Sequence, residues 1–550
     1  MTQIASFANL SKLVFNDSKV AKSLKLNRTK ATAIVVNVIG ATQHDFLVDL
    51  MKSHRFSLII DESTDISTIK SLVMVVRTYL YKNEELIVHD FNYHVIELVE
   101  ADATTIYNAI VLKFQEDNIP YKNNMIGFGS DGANVMLGGV HSVSALFSKE
   151  IQNLFVMKCI CHSMALCASY ACKTLPYEVE WLCREIFNHF SNSPQRTLKF
   201  AELQSLMDLK PLKMLHPAAT RWLSLEEVVK RVNERLEALK LYFNYHDLKL
   251  DAKQLEKVVK INAALNNPIT TLTLAFLEYM LPKLNRLNLL FQSEDSKIYV
   301  LHDEELTLLA DITKNFIKPE KFQSGNGFSI PLVPTSYCSL NQLYLGIKVE
   351  EVMDQLRSKN KLTKETEEKF RMVVLNYYVA VTQQIRSRIN LDNAVLKNLS
   401  IINPQHIKSN DYISIYPLLK NFPNIASENL QEIDNEYREL TSMVQLPQDC
   451  GLSFWNKILK TKRGNDQYAF PFLRKVIPEL MCLPHSSAAA ERVFSSYNLN
   501  KTKTRNRLCT STMIGILSSK DFIKLNKTDD GYDFEKAKHK FTNDMYKIAH

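Results

Sequence analysis

Glycine is scarce in this chain, 13 residues in 550. That leaves few sites for tight turns and favours helices. The nine cysteines contain no Cys-x-x-Cys pair. Their odd number and their scatter argue against a disulfide framework or a zinc finger, and point to reduced thiols in a cytosolic or nuclear compartment. No secretory leader is legible in the first thirty residues, which mix polar and apolar types without an apolar core. A membrane span is not legible either. The least charged long stretch, Ile261 to Tyr279, is interrupted by Asn266, Asn267, Pro268 and several threonines. A strong charge of either sign is also missing: the formal net charge is +8 and the pI near 8.8. That mild basicity permits a polyanionic partner without requiring one. What is present is a folded chain, 46% hydrophobic and 23% charged, long enough for several cores.

The apolar pattern changes period along the chain. Residues 1–50 read as helical, with Ile34, Val35, Val38 and Ile39 on one face. "FSLIID" (56–61), "SLVMVVRTYLY" (71–81) and "HDFNYHV" (89–95) read as three successive strands of an antiparallel meander. A helix through Ile106, Ile110 and Phe114 follows, ended by the Asp117, Asn118, Pro120 cluster. "MIGFG" (125–129) and "LFVMKCI" (154–160) read as a fourth and a fifth strand. A helix between strands permits a parallel crossover, so the fourth strand is expected beside the first in a mixed sheet. From 223 to 445 the apolar residues recur at three and four, as in Val232, Leu236, Leu239 and Phe243, which describes a large helical block. No fixed repeat is visible, so it does not read as a solenoid.

This reading sets Asp61 at the end of the first strand and Asp131, in "GFGSDGANVM", just past the fourth. Adjacent strands lie about 4.8 Å apart, so both carboxylates are near enough to share metal ions. Two divalent ions about 3.5–4 Å apart can hold the attacking and leaving oxygens of a phosphoryl transfer. Hard cations take oxygen ligands, hence Asp and Glu. Glu491, after the run Ala488, Ala489, Ala490, is a third carboxylate that a helix could deliver. If Phe494 and Tyr497 face inward, Glu491 falls at the edge of the buried face. Each residue has a plainer role available: a strand-end Asp commonly caps a turn, and a helical Glu commonly faces solvent.

Several stretches, in order, resemble transposases of the hAT superfamily or host proteins derived from them: "LIIDESTD" (58–65), "GFGSDGANVM" (127–136), "CICHSMAL" (159–166), "TRWLSL" (220–225) and "LPHSSAAAERVFSSYNLNKTKTRNRL" (483–508). The resemblance covers nearly the whole chain. It implies a mixed α/β fold: an RNase H-like catalytic core interrupted by a large all-helical insertion, with a C-terminal hAT dimerisation region. The implied boundaries are an N-terminal helical region at 1–50, the first part of the core at 51–222, the insertion at 223–445, the last catalytic helix with the dimerisation region at 446–525, and a tail at 526–550. It further implies a catalytic, metal-binding triad of Asp61, Asp131 and Glu491 with two Mg2+ or Mn2+ ions. Asp65 is a possible additional acidic neighbour.

By the same resemblance Cys159 and His162 lie near the active site, although Cys-Ile-Cys-His alone is too compact for a full zinc site and suits a structural pair equally. Arg221 and Trp222 match a DNA-binding motif in which the indole stacks on an extruded base; a core tryptophan is the equal alternative. Lys501, Lys503, Arg505 and Arg507 form a basic run suited to a DNA backbone. Arg492, next to Glu491, has the alternative of pairing with a sheet carboxylate instead of facing DNA. Phe454, Trp455, Phe472 and Phe494 are expected to serve dimerisation. Partners implied are DNA and a second copy of the chain, at least a dimer, with no membrane and no small-molecule cofactor, in the nucleus. The N-terminal zinc finger of active relatives is not legible here. Two readings follow: a divalent-metal DNA transposase or nuclease, or a domesticated, catalytically inactive dimeric scaffold. An RNase H-type ribonuclease is a more distant third.

Overall fold

The computed structural model describes residues 4–64, 70–217, 225–244, 251–322, 329–425, 429–464, 466–501, 508–528 and 531–546. Among these, the chain forms two compact units. One comprises residues 1–159, 292–301 and 394–550, and the other 160–291 and 302–393. These boundaries differ from those expected above. Residues 160–222, expected in the core, belong to the helical unit, and 394–445, expected in the insertion, belong to the sheet unit.

The sheet unit is built on five strands: β1 (Phe56–Thr64), β2 (Lys70–Lys82), β3 (Glu85–Leu98), β4 (Met125–Ser130) and β5 (Phe155–Lys158). Their order is β3-β2-β1-β4-β5, antiparallel across β3, β2 and β1 and parallel across β1, β4 and β5. The five expected strands are all present, and β4 pairs with β1 as the crossover argument required. Leu72 to Val76 of β2 are fully buried on both faces, because helices cover both sides.

One face carries Leu58, Ile60, Leu72, Met74, Val76, Phe91 and Phe128. They pack on Leu47 and Met51 of the helix Ala41–Ser53 and on Ile106, Ile110 and Phe114 of the helix Ala103–Glu116. The other face carries Ile59, Val73, Val75 and Val95 against Ala489, Ala490, Val493, Phe494 and Tyr497 of the helix Ala488–Asn500, and against Met513 and Leu517 of the helix Thr510–Leu525. Between Met74 and Val75 the β2–β3 register slips, so that His94 and Asn92 oppose consecutive residues and Tyr93 is extra. Such a bulge switches the faces along β3, sending Phe91 to one core and Val95 to the other. Asp521 fastens it: its carboxylate accepts from the Asn92 main-chain N–H at 2.7 Å and from Asn92 Nδ2 at 2.9 Å.

Arg28–Ser53 is a continuous helical run, π-helical over Ile34–Gly40, long and apolar enough by composition to cross a membrane. Here Val38, Leu47 and Met51 are buried within the sheet unit, and Ser519 Oγ donates to Val35 O at 2.6 Å.

Phe454, Trp455 and Phe494, expected at a dimer interface, are buried inside their own chain. Trp455 Nε1 donates to Ile402 O at 3.2 Å, and its ring meets Phe454 edge-on. Phe494 packs on the sheet. A side chain used to fill the chain's own core is not available to a second copy, so these three are core residues. Phe472 is half-buried, with its N–H given to the Glu436 carboxylate.

The helical unit contains no strand among its described residues. Its centre is the helix Pro268–Phe291, whose Phe276 meets Tyr377 and Tyr378 of the helix Lys364–Arg388 edge-on.

Candidate active site

The strand register brings the two aspartates together. Ile59 of β1 pairs with Gly129 of β4, and Asp61 and Asp131 each lie two residues further along parallel neighbours. Asp61 still pairs with Val73 of β2, sharing the face of Ile59 and Val73 on which the Ala488–Asn500 helix lies. Two glycines admit the chain that starts this helix. A Cβ at Gly127 would collide with Ser57 Oγ and lie 2.7 Å from Pro484 Cδ; one at Gly129 would lie 2.9 Å from Pro484 Cβ. "GFG" in β4 and "LPHSSAAAE" are therefore two halves of one packing arrangement. Ala489 and Ala490 then let the helix settle on Ile59, Val73 and Val75. This sets Glu491 in its first turn, half-buried, where the helix dipole favours a carboxylate.

Asp131 and Glu491 act on Asp61. The Asp61 carboxyl is pushed up to about 7, first by burial and then by the negative charges of Asp131 and Glu491, with Cys159 a further contributor. Only the Glu62 N–H, donating to Asp61 Oδ1 at 3.1 Å, opposes the shift. Asp131 also holds its own turn: Oδ1 accepts from Ala133 N at 3.1 Å. Glu62, on the other face of β1, is raised too, by burial first and Asp131 next. Its Oε1 is buried without a hydrogen bond. Glu62 was not among the expected site residues, although it directly follows Asp61; both lie inside β1, which runs on to Thr64 rather than ending at Asp61.

The Glu491 helix is fixed by ion pairs. Arg492 Nη2 lies 3.2 Å from Asp90 Oδ2 on β3 and Nη1 donates to Gln292 O at 2.7 Å. Asp90 also takes Arg77 Nη1 at 2.8 Å, and Arg77 is only 1% exposed. Arg492 thus pairs with a sheet carboxylate.

Residues 4–141 match the family described as "ZMYM1/FAM200, RNase-like domain" (DUF4371). The match takes in β1 to β4 with Asp61 and Asp131, and ends before β5 and Glu491. At the coarse level it fits a transposase-derived protein with an RNase H-like domain, in agreement with the mixed five-stranded sheet.

A hard divalent ion is the group such a fold implies, and the donor set is carboxylate oxygen, which suits it. The geometry is looser. Among the described residues no three His, Cys, Asp or Glu side chains converge on a point where they could hold one ion. The carboxylates fit the group by the chemistry of their oxygens.

The remaining candidates are dispersed. Cys159 is buried at the end of β5, its N–H donating to Ser130 O at 2.9 Å. His162 belongs to the helical unit, half-buried in the helix Ile160–Cys172. Lys501 is a correction: it is 5% exposed, with Nζ donating to the Tyr497 hydroxyl at 3.3 Å, so it is not part of an open basic run. A lysine whose stem lies along Tyr497 can satisfy its ammonium locally. Asp65, Arg221, Trp222, Lys503, Arg505 and Arg507 lie outside the described residues.

Proposed function

We propose that this chain is an hAT-type transposase-derived protein whose sheet unit cleaves and transfers DNA strands, with Asp61, Asp131 and Glu491 as its acidic site. The observation that carries this is the β1–β4 register, which sets Asp61 and Asp131 each two residues past the Ile59–Gly129 pair, with the helix of Glu491 packed on the Asp61 face; burial and the two neighbouring charges push the Asp61 carboxyl up to about 7. The three acids come from β1, the turn after β4 and a helix roughly 360 residues later in sequence. Concentrated negative charge without a matching cation lowers stability and is kept where function needs it. Bound Mg2+ or Mn2+ would supply charge stabilisation for the attacking and leaving oxygens of a phosphoryl transfer. The chain's own residues orient that chemistry. The β1–β4 register sets the spacing of Asp61 and Asp131. The Arg77, Asp90, Arg492 network holds the helix that presents Glu491. A nuclear location and a homodimer belong to the same proposal; Phe472 is the one dimerisation candidate left half-exposed.

A second reading, a catalytically inactive DNA- or protein-binding scaffold, is favoured by the failure of three ligating side chains to converge among the described residues. Nicking of supercoiled plasmid in manganese separates the two. Cleavage by the wild type, lost in Glu491→Gln and in Asp131→Asn, is the expected result. A folded wild type that binds DNA and leaves the plasmid intact would establish the scaffold.

A further inference from the structure

Lys158 closes β5 in register with Ser130, the residue before Asp131. It leaves the sheet on the face of Phe128, opposite that of Ile59 and Asp61. Its side chain lies across the turn that Asp131 begins. A Cβ at Gly132 would collide with Lys158 Cε and stand 3.1 Å from Nζ. The stem thus occupies the space that a side chain at position 132 would take. Its ammonium makes no hydrogen bond or ion pair with any described residue, although a carboxylate is one residue away. A lysine that only stabilised the turn would be expected to point at Asp131.

Two interstrand spacings, about 10 Å, separate the ends of β1 and β5. Ligands of sheets with parallel strands gather outside the carboxyl ends of those strands. A nucleic-acid strand laid along that edge, with one phosphate at the carboxylates, brings a neighbouring phosphate to β5. An ammonium on a flexible stem is a point charge suited to a phosphate oxygen.

We infer that Lys158 contacts a backbone phosphate beside the one at the acidic site. This rests on the nucleic-acid reading of the site. It adds a residue that aligns the bound strand without joining the acidic triad.

The test is binding of a labelled duplex oligonucleotide in calcium across a salt series, alongside plasmid nicking in manganese. One phosphate contact contributes about 0.7–0.9 to the slope of log affinity against log salt. Lys158→Gln is expected to lower the slope by that amount, and Lys158→Arg to restore it. An unaltered slope in Lys158→Gln overturns the inference, as does a wild type that does not bind the duplex. A slope that falls as expected in a protein that never nicks would retain the Lys158 contact and remove the nuclease reading. The two can therefore fail separately.

Discussion

Arg492 and Asp90 stand 3.2 Å apart, tying the helix that carries Glu491 to β3. The pair is unequal. Asp90 is nearly enclosed and shared with the buried Arg77, whereas the Arg492 side chain is 37% exposed and also borders Glu294. Removing Asp90 leaves a buried guanidinium uncompensated, at a cost of about 3–5 kcal/mol. Removing Arg492 leaves Asp90 paired with Arg77, and an exposed ion pair contributes roughly 0–1 kcal/mol. Asp90→Asn is therefore expected to be far more destabilising in urea than Arg492→Gln. Arg492→Gln is expected to remain folded and to lose nicking activity through a misplaced Glu491. Equal destabilisation by the two variants would show that the network does not run through Asp90 as described.

Trp455 gives a test of the dimer assignment. Its indole is enclosed by its own chain and bonded to Ile402 O. Trp455→Ala is expected to cost about 3–5 kcal/mol, the usual range for a large aromatic core deletion. It should leave the oligomeric mass measured by light scattering unchanged at temperatures where the variant is folded. A variant of full stability that dissociated would return Trp455 to an interface.

The sheet was legible because each strand carries its own signal. "SLVMVV" is buried on both faces, and the helix after β3 permits the parallel crossover to β1. The end of the first strand was misplaced: Asp61 lies inside β1, which runs on to Thr64 against β2, and Asp131 directly follows β4. The position of Glu491 was legible from small residues at 488–490 before an inward Phe494 and Tyr497. What failed was partner assignment. Exposed and buried aromatics look alike in sequence, so Trp455 and Phe494 read as interface residues when they fill the chain's own core. Lys501 read as part of a charge run because local pairing with Tyr497 depends on the turn of a helix. The packing units were not legible for a related reason. The helices on either side of 394 have the same period, and only tertiary packing assigns them to different units.

The acidic site makes a prediction about cations. With its carboxyl near 7, Asp61 is largely ionised above neutral pH and faces Asp131 and Glu491 in partial burial. Asp61→Asn is expected to raise the melting temperature in EDTA at pH 8. Manganese is expected to raise the melting temperature of the wild type and much less that of the variant. A ligand at a hundred times its Kd adds about 2.7 kcal/mol to the state that binds it. Differential scanning fluorimetry of both proteins, with and without manganese, reads this directly. A wild type that shows no manganese response would favour the scaffold reading.

Glu305 of the helical unit predicts a pH dependence of another origin. It lies in the helix Leu301–Thr313, 2% exposed, with Oε2 lacking a hydrogen-bond partner, and burial alone pushes its carboxyl up to about 8. The folded value lies above the ordinary value of 4.5. The associated stability is therefore complete below about pH 4.5 and is lost as pH rises through about 8. Each pH unit in that window weakens the folded state by up to roughly 1.4 kcal/mol, a few kcal/mol in all as an upper bound. Glu305→Met keeps the volume and removes the titration. Hydrogen exchange across Leu301–Thr313, corrected for intrinsic rates, is expected to show wild-type protection falling between pH 6 and pH 9. The protection of the variant should hold over the same range. Parallel pH profiles in the two proteins would mean that water or rearrangement satisfies the ionised carboxylate, and that Glu305 is not held neutral by its surroundings.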